Sequence, residues 1–163
     1  MPIRVRPAGL DDFPSVTALL QELGRPVVLG TPEEDTARMV FEAWLGDPDR
    51  FAFVAVEGES VVGLLDLVVQ PRLNFSAPEA HVPDLVVAED ARSRGAGAAL
   101  LAAAESLARE RGAFALTLDS ANWRTRAHAF YLREGMDDAA KHFVKVFKDM
   151  GWPPPPPARP DGG

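Results

Sequence analysis

Cysteine is absent from this chain of 163 residues. That excludes disulfides, thiolate metal sites and a cysteine nucleophile. No apolar run approaches the roughly 18 residues a membrane span needs, and the opening stretch MPIRVRPAGLDDF lacks the apolar segment of a secretory signal. A cytoplasmic protein without a membrane partner is the expectation. Positive charge is also short: 17 Lys and Arg face 24 Asp and Glu, for a formal net charge of −7. A general nucleic-acid binder wants a basic face, so that class is disfavoured. There is one tyrosine, and there are three histidines, so proton-transfer chemistry has few candidates.

What is present suits an ordinary folded domain. Apolar residues make up 47 % and charged residues 25 % of the chain, and its length favours one domain with a sizeable core. IRVRPA, from Ile3, alternates apolar and polar and predicts a strand. Asp11 and Asp12 can cap a helix with Val16, Leu19, Leu20 and Leu23 on one face. Thr31-Pro32-Glu33-Glu34 starts a second helix, expected to group Met39, Val40, Ala43 and Trp44. FAFVAVEGESVVGLLDLVVQP predicts a hairpin, and AHVPDLVVA a further strand. Pro83 in that strand has no N–H for a ladder, so it fits a bulge or a splayed end.

A long helix follows, with Leu100, Ala104, Leu107 and Ala108 in one stripe and Gly112 just past its end. AFALTLDS predicts a strand, RTRAHAFYLREG a short helix, and KHFVKVFK a last strand. The order is β-α-α-β-β-β-α-β-α-β, a mixed α/β sheet in one domain over residues 1–148. Residues 149–163, DMGWPPPPPARPDGG, predict a polyproline-like tail and a solvated spacer. Pro154, Pro157 and Arg159 also match a PxxPxR ligand pattern.

The run ARSRGAGAALL, from Ala91, carries the chemistry. Gly95 and Gly97 permit a tight turn, and the helix that opens there offers unpaired N–H groups to a phosphate. Arg92 and Arg94 add charge where an acidic protein would otherwise repel an anion. A nucleotide loop of the Gly-Lys-Ser/Thr kind is excluded, because no such triplet is present. A dinucleotide fingerprint is disfavoured by Leu100, where a small residue belongs, and by the short chain that remains after Asp119. A coenzyme A site is the third candidate, beside a plain glycine turn before a core helix.

DLVVAEDARSRGAGAALL resembles the signature of the GCN5-related N-acetyltransferase superfamily. Arg92-Ser93-Arg94-Gly95-Ala96-Gly97 fits its Arg/Gln-x-x-Gly-x-Gly/Ala pattern, and SANWRTRAHAFYLREGM is similar to the second signature. Met136 departs from the usual aromatic there, and Asn122 lies further than usual from Tyr131. The order of elements matches from residue 3 to about 147. AHAFYLREG and PDLVVAEDAR look most like the small-molecule branch of the aminoalkylphosphonate type.

The resemblance implies a splayed central sheet, acetyl-CoA as the cofactor and the amine of a small molecule as the acceptor. Monomer and homodimer both fit. It implies that backbone N–H groups of Arg94, Gly95, Ala96, Gly97, Ala98 and Ala99 take the pyrophosphate. Backbone groups of Leu85, Val86 and Val87 would pair with the pantetheine, and the N–H of Val86 or Val87 would face the oxyanion. Asn122 would also touch the cofactor. Tyr131 matches the residue that protonates the departing thiolate. For the general base, His81 ranks first and Asp84 second, with His128 a further candidate; no ligand spacing supports a metal. Two other functions share the motif: acetylation of a protein N-terminus or lysine, and a non-catalytic acyl-CoA-binding module.

Overall fold

The computed structural model describes residues 1–156. Its frame is the hairpin of two apolar runs. Strands β2 (Arg50–Glu57) and β3 (Ser60–Gln70) pair antiparallel from Arg50↔Val68 to Glu57↔Ser60. Strand β1 (Ile3–Pro7) adds antiparallel to β2. Beyond β3 lie β4 (Glu79–Val82) and β5 (Leu85–Val87), both antiparallel to β3. Strand β6 (Ala115–Leu118) runs parallel to β4. The sheet therefore has six strands, in the order β1-β2-β3-β4-β6 with β5 on β3.

Helices cover both faces. Helix α3 (Ala96–Glu110) buries Leu100, Leu101, Ala104 and Ala108 against one face, which carries Leu65, Leu67, Ala80 and Val82. Helix α1 (Phe13–Glu22) buries Val16 and Leu19 against the other, which carries Val54, Leu64 and Val86. Helix α2 (Glu34–Gly46) joins α1 on that side, and α4 (Thr125–Arg133) lies at the end of α3. Each fully buried leucine contributes roughly 1.5–3 kcal/mol of hydrophobic stabilisation.

Three expectations are corrected. Helix α2 does not turn Met39 and Val40 inward; they are 70 % and 59 % exposed. Phe41, Trp44 and Leu45 pack on the core instead. That trio has the i, i+3, i+4 spacing of a single helix face. AHVPDLVVA is two short strands, interrupted at Pro83 and Asp84. Residues 141–148, expected to be the last strand, form none. Phe143 and Phe147 are 87 % and 93 % exposed there. The adjacent pairs Phe143-Val144 and Val146-Phe147 break the period of two, so neither strand face would be wholly apolar.

Candidate active site

The sheet opens at Pro83. Up to Val82, β4 is held between β3 and β6, with Val82 paired to Leu118. After it, among the described residues, β5 pairs with β3 alone. The other edge of β5 therefore faces a cleft of about 720 Å³. The register decides which backbone groups face it. The Asp66 N–H donates to the Asp84 carbonyl at 3.1 Å, and the Ala88 N–H donates to the Val62 carbonyl at 2.8 Å. In an antiparallel ladder alternate residues bond the neighbour. Val86, between those two, thus points its N–H and C=O at Leu64 of β3. Leu85 and Val87 point theirs at the open edge. The Val87 carbonyl indeed accepts from Arg92 Nε at 3.4 Å. The expectation that Val86 offers backbone groups to a ligand is corrected: the ladder already uses them.

The glycine loop forms a cradle. Gly95 caps α3 with φ +90°, and Ser93 has φ +66°. A Cβ on Gly95 would meet nothing within 4 Å, so the space beside it is open. The first N–H of α3 with a backbone acceptor is that of Ala99, which donates to the Gly95 carbonyl at 3.0 Å. The N–H groups from Arg94 to Ala98 are left to gather at the positive end of the helix dipole. This leaves Ala99 out of the expected donor set. Gly97 serves another purpose, since its Cβ would sit 3.3 Å from the Phe130 ring of α4. A side chain there would press on the Phe130 ring, so glycine suits the close packing of α4 on α3. Arg94 is bonded to the Asp90 carbonyl and to Glu57, while Arg126 of α4 donates to Ser93 Oγ at 2.8 Å. Arg126 thus brings charge to the loop that the linear motif did not include. An anion cradle next to an open strand edge fits the pyrophosphate and amide-bearing arm of coenzyme A.

His81 is fixed by a chain of hydrogen bonds. Its Nδ1 lies 2.9 Å from Thr117 Oγ1. The Thr117 hydroxyl donates to Glu79 Oε1 at 2.8 Å, and Glu79 also takes bonds from Arg72 and Gln70. Burial alone would raise the Glu79 pKa, but the bonds from Arg72, Thr117 and Gln70 outweigh it and hold the carboxyl below its ordinary value. Glu79 is therefore an acceptor only. A hydroxyl has one proton, and Thr117 gives it to Glu79, so Nδ1 of His81 must carry the proton between them. Nε2 lies 3.7 Å from Asp119 Oδ2. The same Asp119 oxygen lies 3.5 Å from Nδ1 of His142.

Asp84 is committed elsewhere. Its carboxylate accepts from Arg25, with Nε at 2.9 Å and Nη2 closer still. Its N–H donates to Asp66 Oδ1 at 2.7 Å. Withdrawal from water and the adjacent Asp84 carboxylate push the Asp66 carboxyl well above its ordinary value. A base already paired with an arginine is a poor proton acceptor, so the geometry favours His81 over Asp84.

Tyr131 and Asn122 both line the cleft, as do His81 and Asp84. Burial raises the Tyr131 phenol above its ordinary value, and Arg124 offsets part of that rise. It stays protonated at neutral pH. His128 is not among the residues lining the cleft. Arg25, Asp119, Arg124 and His142 do line it and were not singled out from sequence. Sequence spacing carried no signal for them, because they come from three distant segments.

A family model described as the acetyltransferase (GNAT) family matches residues 16–136. The chain is 34 % identical over 147 residues to aminoalkylphosphonate N-acetyltransferase of Salmonella typhimurium, covering 90 % of this chain and 93 % of the relative. A solved transcriptional regulator of Bacillus halodurans superposes with a TM-score of 0.79 at 24 % identity, covering 90 % of this chain and all of that one. AAC(6')-Iy, solved with the bisubstrate analogue CoA-S-monomethyl-acetylneamine, gives a TM-score of 0.75 at 15 % identity, covering 91 % and 100 %. At such identities these two structures establish the fold. No helix of the described residues is long and apolar enough to cross a membrane.

Proposed function

Since the chain belongs to the acetyltransferase (GNAT) family, whose members use acetyl-CoA, and is an N-acetyltransferase, we propose that it acetylates the primary amine of a small zwitterion, of the aminoalkylphosphonate class named for its Salmonella relative. The observation that carries this reading is one cleft holding His81, Tyr131, two carboxylates and two arginines beside the open edge of β5. Asp119 suits an ammonium group, while Arg25 and Arg124 suit an anionic head group.

Acetyl-CoA would supply a thioester whose carbonyl carbon an amine can attack. The N–H groups from Arg94 to Ala98 hold its pyrophosphate, with Arg92 and Arg126 adding charge. Leu85 and Val87 pair with its pantetheine arm as a neighbouring strand would. The Val87 N–H faces the open edge and steadies negative charge on the carbonyl oxygen. A free alkylamine is mostly protonated at neutral pH, with a pKa of about 10.4. His81 Nε2 takes that proton, and Asp119 stabilises the imidazolium that results. The Tyr131 hydroxyl donates to the sulfur as it leaves. Asp84 holds Arg25 in position and takes no proton.

The test is coenzyme A release from acetyl-CoA with a series of short aminoalkylphosphonates. A thiol reagent reads only the product, because the chain has no cysteine of its own. Saturable release with at least one such amine is expected. Release no faster than acetyl-CoA hydrolysis with every member of the series would sink the acceptor assignment.

A further inference from the structure

The described start of the polyproline tail borders the cleft, with Pro154 half-buried and Trp152 36 % exposed. Trp152, Pro153, Pro154 and Pro156 line the cleft together with His81, Asp84 and Tyr131. Pro157 and Arg159 of the PxxPxR pattern lie outside the described residues. The seat of the tail is specific. A Cβ on Gly24 would lie 2.8 Å from Pro154 Cγ, and Gly24 has φ +95°. Only glycine combines that backbone turn with so close an approach. The Arg25 guanidinium lies 5.2 Å from the Trp152 ring centroid while it bonds Asp84. His142, which faces Asp119, meets Trp152 edge-on at 6.5 Å between centroids. Trp152 thus spans the mouth of the cleft between the loop after α1 and the segment after α4.

We propose that Trp152 to Pro156 form the outer wall of the acceptor pocket, and that this wall sets the size of amine the cleft admits. The placement selects the acceptor side. The cofactor reading assigns the β5 edge and the glycine loop to coenzyme A, whereas the tail's contacts are with Gly24, Arg25 and His142. Proline suits a wall of this kind. Its φ is fixed and it has no N–H, so the segment is stiff and presents no backbone donor at these positions. Trp152 gives a flat apolar face for an alkyl chain and, through Arg25, a fixed cation for the anionic end. The wall restricts the pocket to short acceptors and excludes sugar-sized ones.

This inference rests on the zwitterion reading above, and the experiment separates the two. Trp152→Ala and the double variant Trp152→Ala/Pro154→Ala are made in the full chain. Both are assayed with 2-aminoethylphosphonate and with glucosamine 6-phosphate, which share an amine and a phosphorus anion but differ in bulk. The ratio of kcat/KM, short over bulky, is expected to fall at least tenfold in each variant. The change should lie in the acceptor KM, with the acetyl-CoA KM unmoved. An unchanged ratio overturns the wall while leaving the acceptor class in place. A parent chain inert to the short amine, with variants that acetylate the sugar, overturns the acceptor class and supports the wall. Amide hydrogen exchange at Leu23 to Arg25 is read independently of turnover. It should quicken in both variants, and unaltered exchange also overturns the wall.

Discussion

One wall of the site is an unbroken stretch, Leu85 to Ala98, of which Leu85 lines the cleft, while a second wall gathers Arg25, Asp119, Arg124 and Trp152 from separate parts of the chain. The first wall is mostly backbone: an open strand edge and a set of helix N–H groups. Its ligand is read by shape and hydrogen bonding that many sequences could supply, given glycine at position 95. The second wall is side chains, held by partners far away in sequence, such as Arg25 on Asp84. A binder for a constant cofactor can be local. A pocket for a particular acceptor is assembled by the fold, and its specificity is set where loops and the tail converge.

The largest effect should come where the two walls meet. Tyr131→Phe removes one hydroxyl and keeps the ring that packs on Phe130, with centroids 5.5 Å apart. Proton donation to the leaving sulfur strengthens as charge builds there, so it acts on the transition state. Turnover should fall by about 10²–10⁴-fold, or roughly 3–5 kcal/mol, with acetyl-CoA affinity nearly constant. Steady-state assays beside a binding isotherm check this. A Tyr131→Phe enzyme with parental turnover would remove the general acid.

On the acceptor side, His81→Gln should cost about 10²-fold in kcat/KM and abolish the acid limb of its pH profile. Thr117→Val tests the hydrogen-bond chain behind it. The variant keeps the shape of Thr117 but frees His81 Nδ1 from its acceptor, so both tautomers become available. We expect a loss of about tenfold, roughly 1.4 kcal/mol, with the acid limb displaced but present. If the profiles of both variants overlay that of the parent, His81 is structural and the proton leaves by another route.

The cofactor wall can be broken in two distinguishable ways. Gly97→Val drives a side chain into the Phe130 ring, and overpacking of this kind typically costs about 1–3 kcal/mol. It should lower Tm by several degrees and, by shifting α4, disturb Tyr131 as well. Gly95→Ala meets open space, so its cost is conformational, about 1–2 kcal/mol for a left-handed alanine. It should weaken acetyl-CoA binding more than it destabilises the fold. Calorimetry and thermal melts on the pair separate packing from ligand approach. Equal effects on both readouts would mean that the two glycines share one role.

The contrast between the walls also explains what could be read in advance. Arg92 to Gly97 lie in one motif, and glycine spacing before an Ala/Leu helix has few structural outcomes, so the cradle was legible. Pro83 fitted the splay, because a residue without an N–H cannot donate to a ladder and is found at edges and bulges. The choice between Val86 and Val87 was not legible. It depends on register with β3, which is set by Val62 and Asp66 about twenty residues upstream. Asp84 looked like a base because its partner Arg25 is 59 residues away. KHFVKVFK looked like a strand because of its aromatic and β-branched residues, but its adjacent apolar pairs break the period of two and leave neither face wholly apolar. Trp152 was masked by the prolines beside it, whose composition signals a spacer whether or not a glycine elsewhere makes room for them.

The smallest effect concerns Asp66, which sits under the point where the walls part. Its folded-state pKa is raised, first by withdrawal from water and then by the Asp84 carboxylate. The sign is that of an acid that prefers its proton in the native state. Folding then binds protons, so stability is highest below the unfolded pKa, about 3.9 for an aspartate, and falls as pH rises through the folded value. Asp66→Asn imitates the protonated form and keeps an oxygen to accept the Asp84 N–H. At pH 7 to 8 the variant should melt a few degrees above the parent, where about 1 kcal/mol corresponds to roughly 2–4 °C for a chain of this size. The gap should close toward pH 4, where the parent carries the proton itself. Melting curves across that range decide the matter. A gap that is constant with pH would mean that Asp66 acts through packing alone, and the carboxyl beneath the split strand would not be held neutral by its surroundings.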